Sequence, residues 1–174
     1  METFLEILKI ILPALLVMLT AWLVIRNMLH DDQERRRQDL LLQTVKTVTP
    51  VRLQAYERIV LFLERISPES LIIRTARPEM TAQQLQSALV TSVRSEYEHN
   101  LSQQIYMSNE SWEMVKNARG TVVRLINSVA SQLPPTATGE ELSRLLLEEV
   151  VEMETEPTRT AIAYIKSELA RIMG

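Results

Sequence analysis

The stretch FLEILKIILPALLVMLTAWLVIR, Phe4 to Arg26, decides how the rest of the chain is read. From Ile10 to Ile25 no side chain is charged, and only Thr20 interrupts an otherwise apolar surface on every side of a helix. A helix packed on its own domain keeps a polar face, so an all-round apolar one points to lipid. At 1.5 Å of rise per residue, Ile10 to Ile25 covers about 24 Å. Counting from Phe4 gives about 31 Å, close to the ~30 Å of a bilayer's hydrocarbon core. Lys9 then snorkels to one interface, while Trp22 and Arg26 mark the other. A cleaved signal peptide would start basic and end at a pair of small residues. Here Glu2 and Glu6 precede the run with no basic side chain among the first eight residues, and WLVIRN follows it. Residues 1–26 are therefore expected to be a retained N-terminal transmembrane helix.

Basic residues set the orientation of such a helix, and acidic ones count little. Arg26, Arg35, Arg36 and Arg37 follow the run, against Lys9 alone on its other side. The N-terminus is expected outside and the remainder in the cytoplasm, with the protein single-pass in the cytoplasmic (inner) membrane. Lys9, Trp22, Arg26, Arg35, Arg36 and Arg37 form the expected membrane-interface set, and the lipid bilayer is the first expected partner. Residues 27–39, NMLHDDQERRRQD, read as a charged juxtamembrane stalk in which Asp31–Arg35 and Asp32–Arg36 are i,i+4 pairs. The chain has no cysteine, which fits a reducing compartment and excludes both a disulfide framework and a thiolate metal site.

The 174 residues carry a net charge of −3 with a pI of about 5.5, so no nucleic-acid partner is expected. Three glycines and two phenylalanines amid many Leu, Glu, Gln, Arg and Ala make a helix composition. The expected fold is all-α, the anchor being followed by a cytoplasmic multi-helix bundle over residues 40–174 with coiled-coil-like packing. Leu41, Val45 and Val48 give a first apolar stripe, which Thr49-Pro50 is expected to end. The next run, PVRLQAYERIVLFLERI, offers Leu53, Tyr56, Ile59, Val60, Phe62, Leu63 and Ile66, a face wide enough for a central helix.

Four later starts share one signature, a capping residue flanked by a hydrophobic staple. They are Ser67 with Ile66 and Leu71, Thr81 with Met80 and Leu85, Ser108 with Met107 and Trp112, and Thr138 with Ala137 and Leu142. Gln84 and Glu141 complete capping boxes at Thr81 and Thr138. The spacing predicts helices from Thr81 to Tyr106, stripe Leu85, Leu89, Val93, Tyr97 and Leu101, and from Ser108 to Leu133, stripe Trp112, Val115, Val122, Ile126, Val129 and Leu133. Pro134-Pro135 closes the latter. Pro157 separates Leu142, Leu145, Leu146 and Val150 from Ile162, Ile165, Leu169 and Ile172. No run alternates with period two for long enough to make a strand, although LIIR, Leu71 to Arg74, is compatible with extended backbone. Trp112, Val122, Ile126, Val60 and Leu63 are expected in the core.

Two passages, RLQAYERIVLFLERISPESLIIR (Arg52 to Arg74) and EYEHNLSQQIYMSNESWEMVKNA (Glu96 to Ala118), carry a resemblance. With the N-terminal run they resemble an uncharacterised family of small single-span membrane proteins of Bacteroidota, over Met1 to Leu133. The resemblance implies the same layout and brings no activity.

The chain shows no G-x-S-x-G elbow, P-loop or G-x-G-x-x-G, and its serines and threonines mostly suit caps. Glu96-x-x-His99 has the spacing of a di-iron bundle ligand pair, but such a site needs a second copy, and the only other histidine is His30. His99 also lies about 200° round the helix from Tyr97, away from the apolar stripe. No catalytic residue, metal or cofactor is expected, and the protein reads as a non-enzyme. Glu140 to Glu156 holds seven glutamates against Arg144 alone, a local net charge of −6. Glu148, Glu149 and Glu152 repel one another at i, i+1 and i+4, a strain that a basic partner surface would relieve. They are the expected partner-docking residues.

The expected function is a membrane-anchored interaction or scaffold protein that docks a partner protein, as yet unidentified, at the inner face of the membrane. The alternative is an accessory subunit of a larger transport or secretion complex whose span packs within the assembly, for which Ala14 and Ala21 leave room. Self-association is left open by the sequence.

Overall fold

The computed structural model describes residues 15–26 and 48–173, which fall into two units, Met1–Thr49 and Pro50–Gly174. In the first unit residues 15–26 are helical and exposed throughout. Thr20 folds its hydroxyl back to donate to the Val17 carbonyl at 2.9 Å, so the only polar side chain of the apolar run is satisfied by its own helix. The Arg26 guanidinium lies 5.2 Å from the centre of the Trp22 ring, a cation–π contact. Among the described residues no helix is long and apolar enough to cross a membrane. The rest of the expected span with Lys9, the stalk with His30 and Arg35–Arg37, and Leu41 and Val45 lie outside the described residues.

The second unit is all-α. Its helices are α1 (48–65), α2 (Pro68–Thr75), α3 (Ala82–Asn100), α4 (Asn109–Ser131), α5 (Gly139–Glu152) and α6 (Pro157–Met173), with a 3₁₀ turn at Leu101–Tyr106. α4 packs on α6 and α3, α5 packs on α3, and α2 closes one side against α3 and α5. α1 contributes Tyr56, Ile59, Phe62 and Leu63 to the core, with Ile66 just beyond its end, all essentially sealed from water. Trp112, Val122, Ile126 and Leu63 are buried as expected, and Val60 is partly so.

The capping signatures act as local chemistry requires. Thr81 and Thr138 each accept from the backbone N–H three residues on, while Gln84 and Glu141 reach back to the cap's own N–H. Ser108 accepts from Ser111 N–H at 3.0 Å. The two boxes are also tied to one another. Ala82 N–H donates to the Ala137 carbonyl at 2.9 Å, and Gly139 N–H to the Met80 carbonyl at 2.7 Å, which makes an isolated antiparallel bridge between Thr81 and Thr138. A Cβ at Gly139 would stand 3.0 Å from that Met80 carbonyl oxygen, a tight contact that a larger residue could take only if the join shifted by a few tenths of an ångström. Thr138→Ala removes one box and loosens the α3–α5 join. It is expected to cost about 1 kcal/mol and lower the melting temperature by about 4 °C. A thermal melt followed by circular dichroism measures this, and an unshifted midpoint would show that the bridge carries the join without the cap.

The described helix takes in Val48 and Thr49, two residues ahead of the start expected at Pro50, and the stripe expected before it lies, Val48 apart, outside the described residues. Other expectations need correction. Ser67 precedes α2 but makes no capping bond, its hydroxyl donating instead to the Glu64 carbonyl at 2.9 Å. LIIR lies within α2 and is helical. The helix from Thr81 stops at Asn100 rather than Tyr106 and tightens into the 3₁₀ turn, which swings Leu101 off the stripe to the surface. Leu53 and Val48 are exposed as well.

Candidate interaction surface

α5 turns Leu142 and Leu146 fully inward. One turn apart on its outer side stand Leu147, 38% exposed, and Val151, 84% exposed. Across from them α2 presents Ile73 at 73% exposure, above the nearly buried Ile72. These side chains line a groove of about 650 Å³ between α2, the C-terminal half of α5 and the start of α6. Glu69 on α2, Glu154 and Glu156 on the connecting turn, and Arg159 on α6 complete its wall.

The expected docking residues border this groove unevenly. At 100° per residue, Glu148 and Glu152 lie about 60° and 100° round α5 from Val151, whereas Glu149 lies about 160° away. All three are exposed, and Glu148 pairs with Arg144 at 2.9 Å. Glu156 pairs with Arg159 at 2.8 Å, while Glu69, Glu152 and Glu154 make no ion pair among the described residues.

A second cluster lies inside the bundle. Glu168 of α6 is only 7% exposed, and its carboxylate accepts hydrogen bonds from Tyr56 Oη of α1 and, at 2.5 Å each, from Ser108 Oγ and Ser111 Oγ at the start of α4. Burial raises the carboxyl's pKa, but the three hydroxyl donors outweigh it and hold the group below the usual glutamate range. The Tyr56 phenol is pushed up, first by burial and then by the adjacent carboxylate. An anion against the first turn of α4 is also favoured by the helix dipole. The cluster joins three helices and satisfies its own polar groups, so its chemistry is that of a structural clasp. Among the described residues no group of three or more His, Asp or Glu is placed to hold a metal ion.

Glu96 and His99 part company. Glu96 turns inward, contrary to the solvent-facing pair the sequence suggests, and bridges Arg65 at 2.6 Å and Arg74 at 3.2 Å. Burial pushes its carboxyl up, and the two arginines more than reverse this, leaving it lowered. His99 stays exposed, its Nδ1 3.1 Å from the Ser95 carbonyl.

A family of unknown function (DUF7935) matches residues 2–172. The chain belongs to this family. The DUF7935 match takes in the apolar N-terminal run, the groove and α6, well past Leu133 where the resemblance seen in the sequence ends. No curated protein and no solved structure matches the chain.

Sequence reasoning missed Ile73 and Leu147 with Val151 because each was absorbed into another pattern, LIIR in one case and an acidic helix face in the other. It also missed Glu168. The available signal was its register, three residues after Ile165 and seven after Ala161, which places a carboxylate on the apolar face of α6.

Proposed function

We propose that this DUF7935 protein is a membrane-anchored interaction module. Its N-terminal run spans the cytoplasmic membrane once with the N-terminus out, and its helical domain docks a partner protein on the inner face. The observation that carries the reading is the uncharged run from Ile10 to Ile25 joined to a separate all-α unit. Exposure of every apolar side chain over residues 15–26 supports it, since such a helix lacks the buried face that would hold it on a protein core. Trp22 and Arg26, stacked at the end of the run, suit an interface anchor. A docking module needs no catalytic centre of its own.

The test is topological. The full chain is expected to stay with the membrane after an alkaline wash, and its domain to resist protease added outside cells whose outer envelope has been opened. Inside-out vesicles are expected to lose the domain to the same protease. Cleavage near Asp39 from outside would reverse the orientation, and release by the alkaline wash would remove the span. Exchanging residues 1–26 for an unrelated span is expected to leave docking intact; loss of docking would favour the accessory-subunit alternative.

A further inference from the structure

We propose that the groove between α2 and α5 binds a basic amphipathic helix of a partner protein. The inference rests on the reading of the chain as a docking module and assigns that module its surface. Singly exposed aliphatic side chains are ordinary, but Ile73, Leu147 and Val151 are gathered on the walls of one concavity. Leu147 and Val151 are one helical turn apart, about 6 Å along the axis. That spacing matches apolar anchors at i and i+4 of an opposing helix. The described residues contain no strand whose edge could receive an extended peptide, so insertion of a helix is the available mode.

Charge selects the occupant. Glu69, Glu154 and Glu156 line the groove, with Arg159 engaged by Glu156, and Glu148 and Glu152 are exposed on α5 about 60° and 100° round from Val151, with Arg144 engaged by Glu148. A second copy docked symmetrically would set carboxylates against carboxylates. Anionic lipid headgroups would meet the same repulsion. A helix with leucines on one face and lysines flanking them satisfies both the floor and the rim.

The probe is a labelled synthetic peptide of Leu, Ala and Lys with Leu at i, i+3, i+4 and i+7, titrated onto the full chain in neutral detergent. An acidic twin carries Glu in place of Lys. The basic peptide is expected to bind, the acidic twin at least ten-fold more weakly. Ile73→Gln with Val151→Gln is expected to weaken the basic peptide ten-fold or more. Glu148→Gln, Glu152→Gln and Glu154→Gln together should weaken it several-fold at low salt, with the gap narrowing at high salt as screening takes over. Because all five positions are at the surface, circular dichroism should be unchanged in both variants. Unchanged binding in the Ile73/Val151 variant, equal binding of the acidic twin, or no binding to the wild type would each overturn the groove assignment. A wild-type dimer that this variant dissociates would make a second copy the occupant and overturn it too. The topology and span-exchange outcomes are independent of these, so the docking-module reading stands or falls separately.

Discussion

Phe62→Ala is expected to remove about 4 kcal/mol of stability from the domain. The ring is sealed from water in the last turn of α1 and meets the aromatic set of two other helices through Tyr97. Its centre lies 6.1 Å from that of Tyr97 on α3, tilted by 56°, and Tyr97 in turn stacks on Trp112 of α4 at 5.7 Å. The guanidinium of Arg119, the one charged residue interrupting the α4 stripe, sits 4.3 Å from the centre of the Tyr97 ring. Truncation at Phe62 therefore opens a cavity where three helices meet, and it leaves Tyr97 without one aromatic neighbour. Against a total of about 5–15 kcal/mol for a domain, that loss is a large fraction. A melt of the full chain in mild detergent should show a midpoint lowered by about 15 °C. Phe62→Leu keeps most of the volume and should cost about a third as much. A shift below about 4 °C for the alanine variant would mean that the three helices close over the gap.

What the sequence could tell depended on how local each interaction is. Thr81, Ser108 and Thr138 were readable because a cap is decided by hydrogen bonds within three residues, and the staples Met80–Leu85 and Ala137–Leu142 lie equally close in the chain. Ser67 carries the same local signature, yet its hydroxyl finds the Glu64 carbonyl first, a competition that residue types alone do not resolve. The early end of α3 has a tertiary setting: Arg52 of α1 donates to the Tyr106 carbonyl at 3.3 Å, across a separation no periodicity registers. The groove was half legible. Its acidic rim stood out as a charge run, while its floor is assembled from two elements far apart in sequence. The Glu168 clasp was the least visible, since Tyr56, Ser108 and Ser111 each have a sufficient local explanation as stripe or cap.

That clasp yields the second large effect. Glu168→Ala is expected to cost about 3 kcal/mol, because it strands the buried hydroxyls of Tyr56 and Ser111 without an acceptor and removes the anion from the first turn of α4. Glu168→Gln keeps one acceptor oxygen but turns a second donor towards hydroxyls that already donate, so it should fall between wild type and alanine. Tyr56→Phe, which deletes a single bond to a charged acceptor, should cost about 2 kcal/mol. The pH dependence has a definite sign. The Glu168 carboxyl is held below its unfolded value of about 4.3, so the folded state binds its proton less readily than the unfolded state does. Its contribution is therefore fully present above that value and is lost as pH falls through the lower, folded pKa. Glu96 is also lowered, by Arg65 and Arg74, and titrates in the same acid range. The quantity to measure is thus the difference between wild type and Glu168→Gln, by urea titration at pH 7 and at steps from pH 5 down to pH 3. That difference should be constant between pH 7 and pH 5 and shrink steadily below, as the wild-type carboxyl takes up its proton. A difference that stays constant to pH 3, or grows on acidification, would mean that Glu168 does not hold α6 to α1 and α4 as a carboxylate.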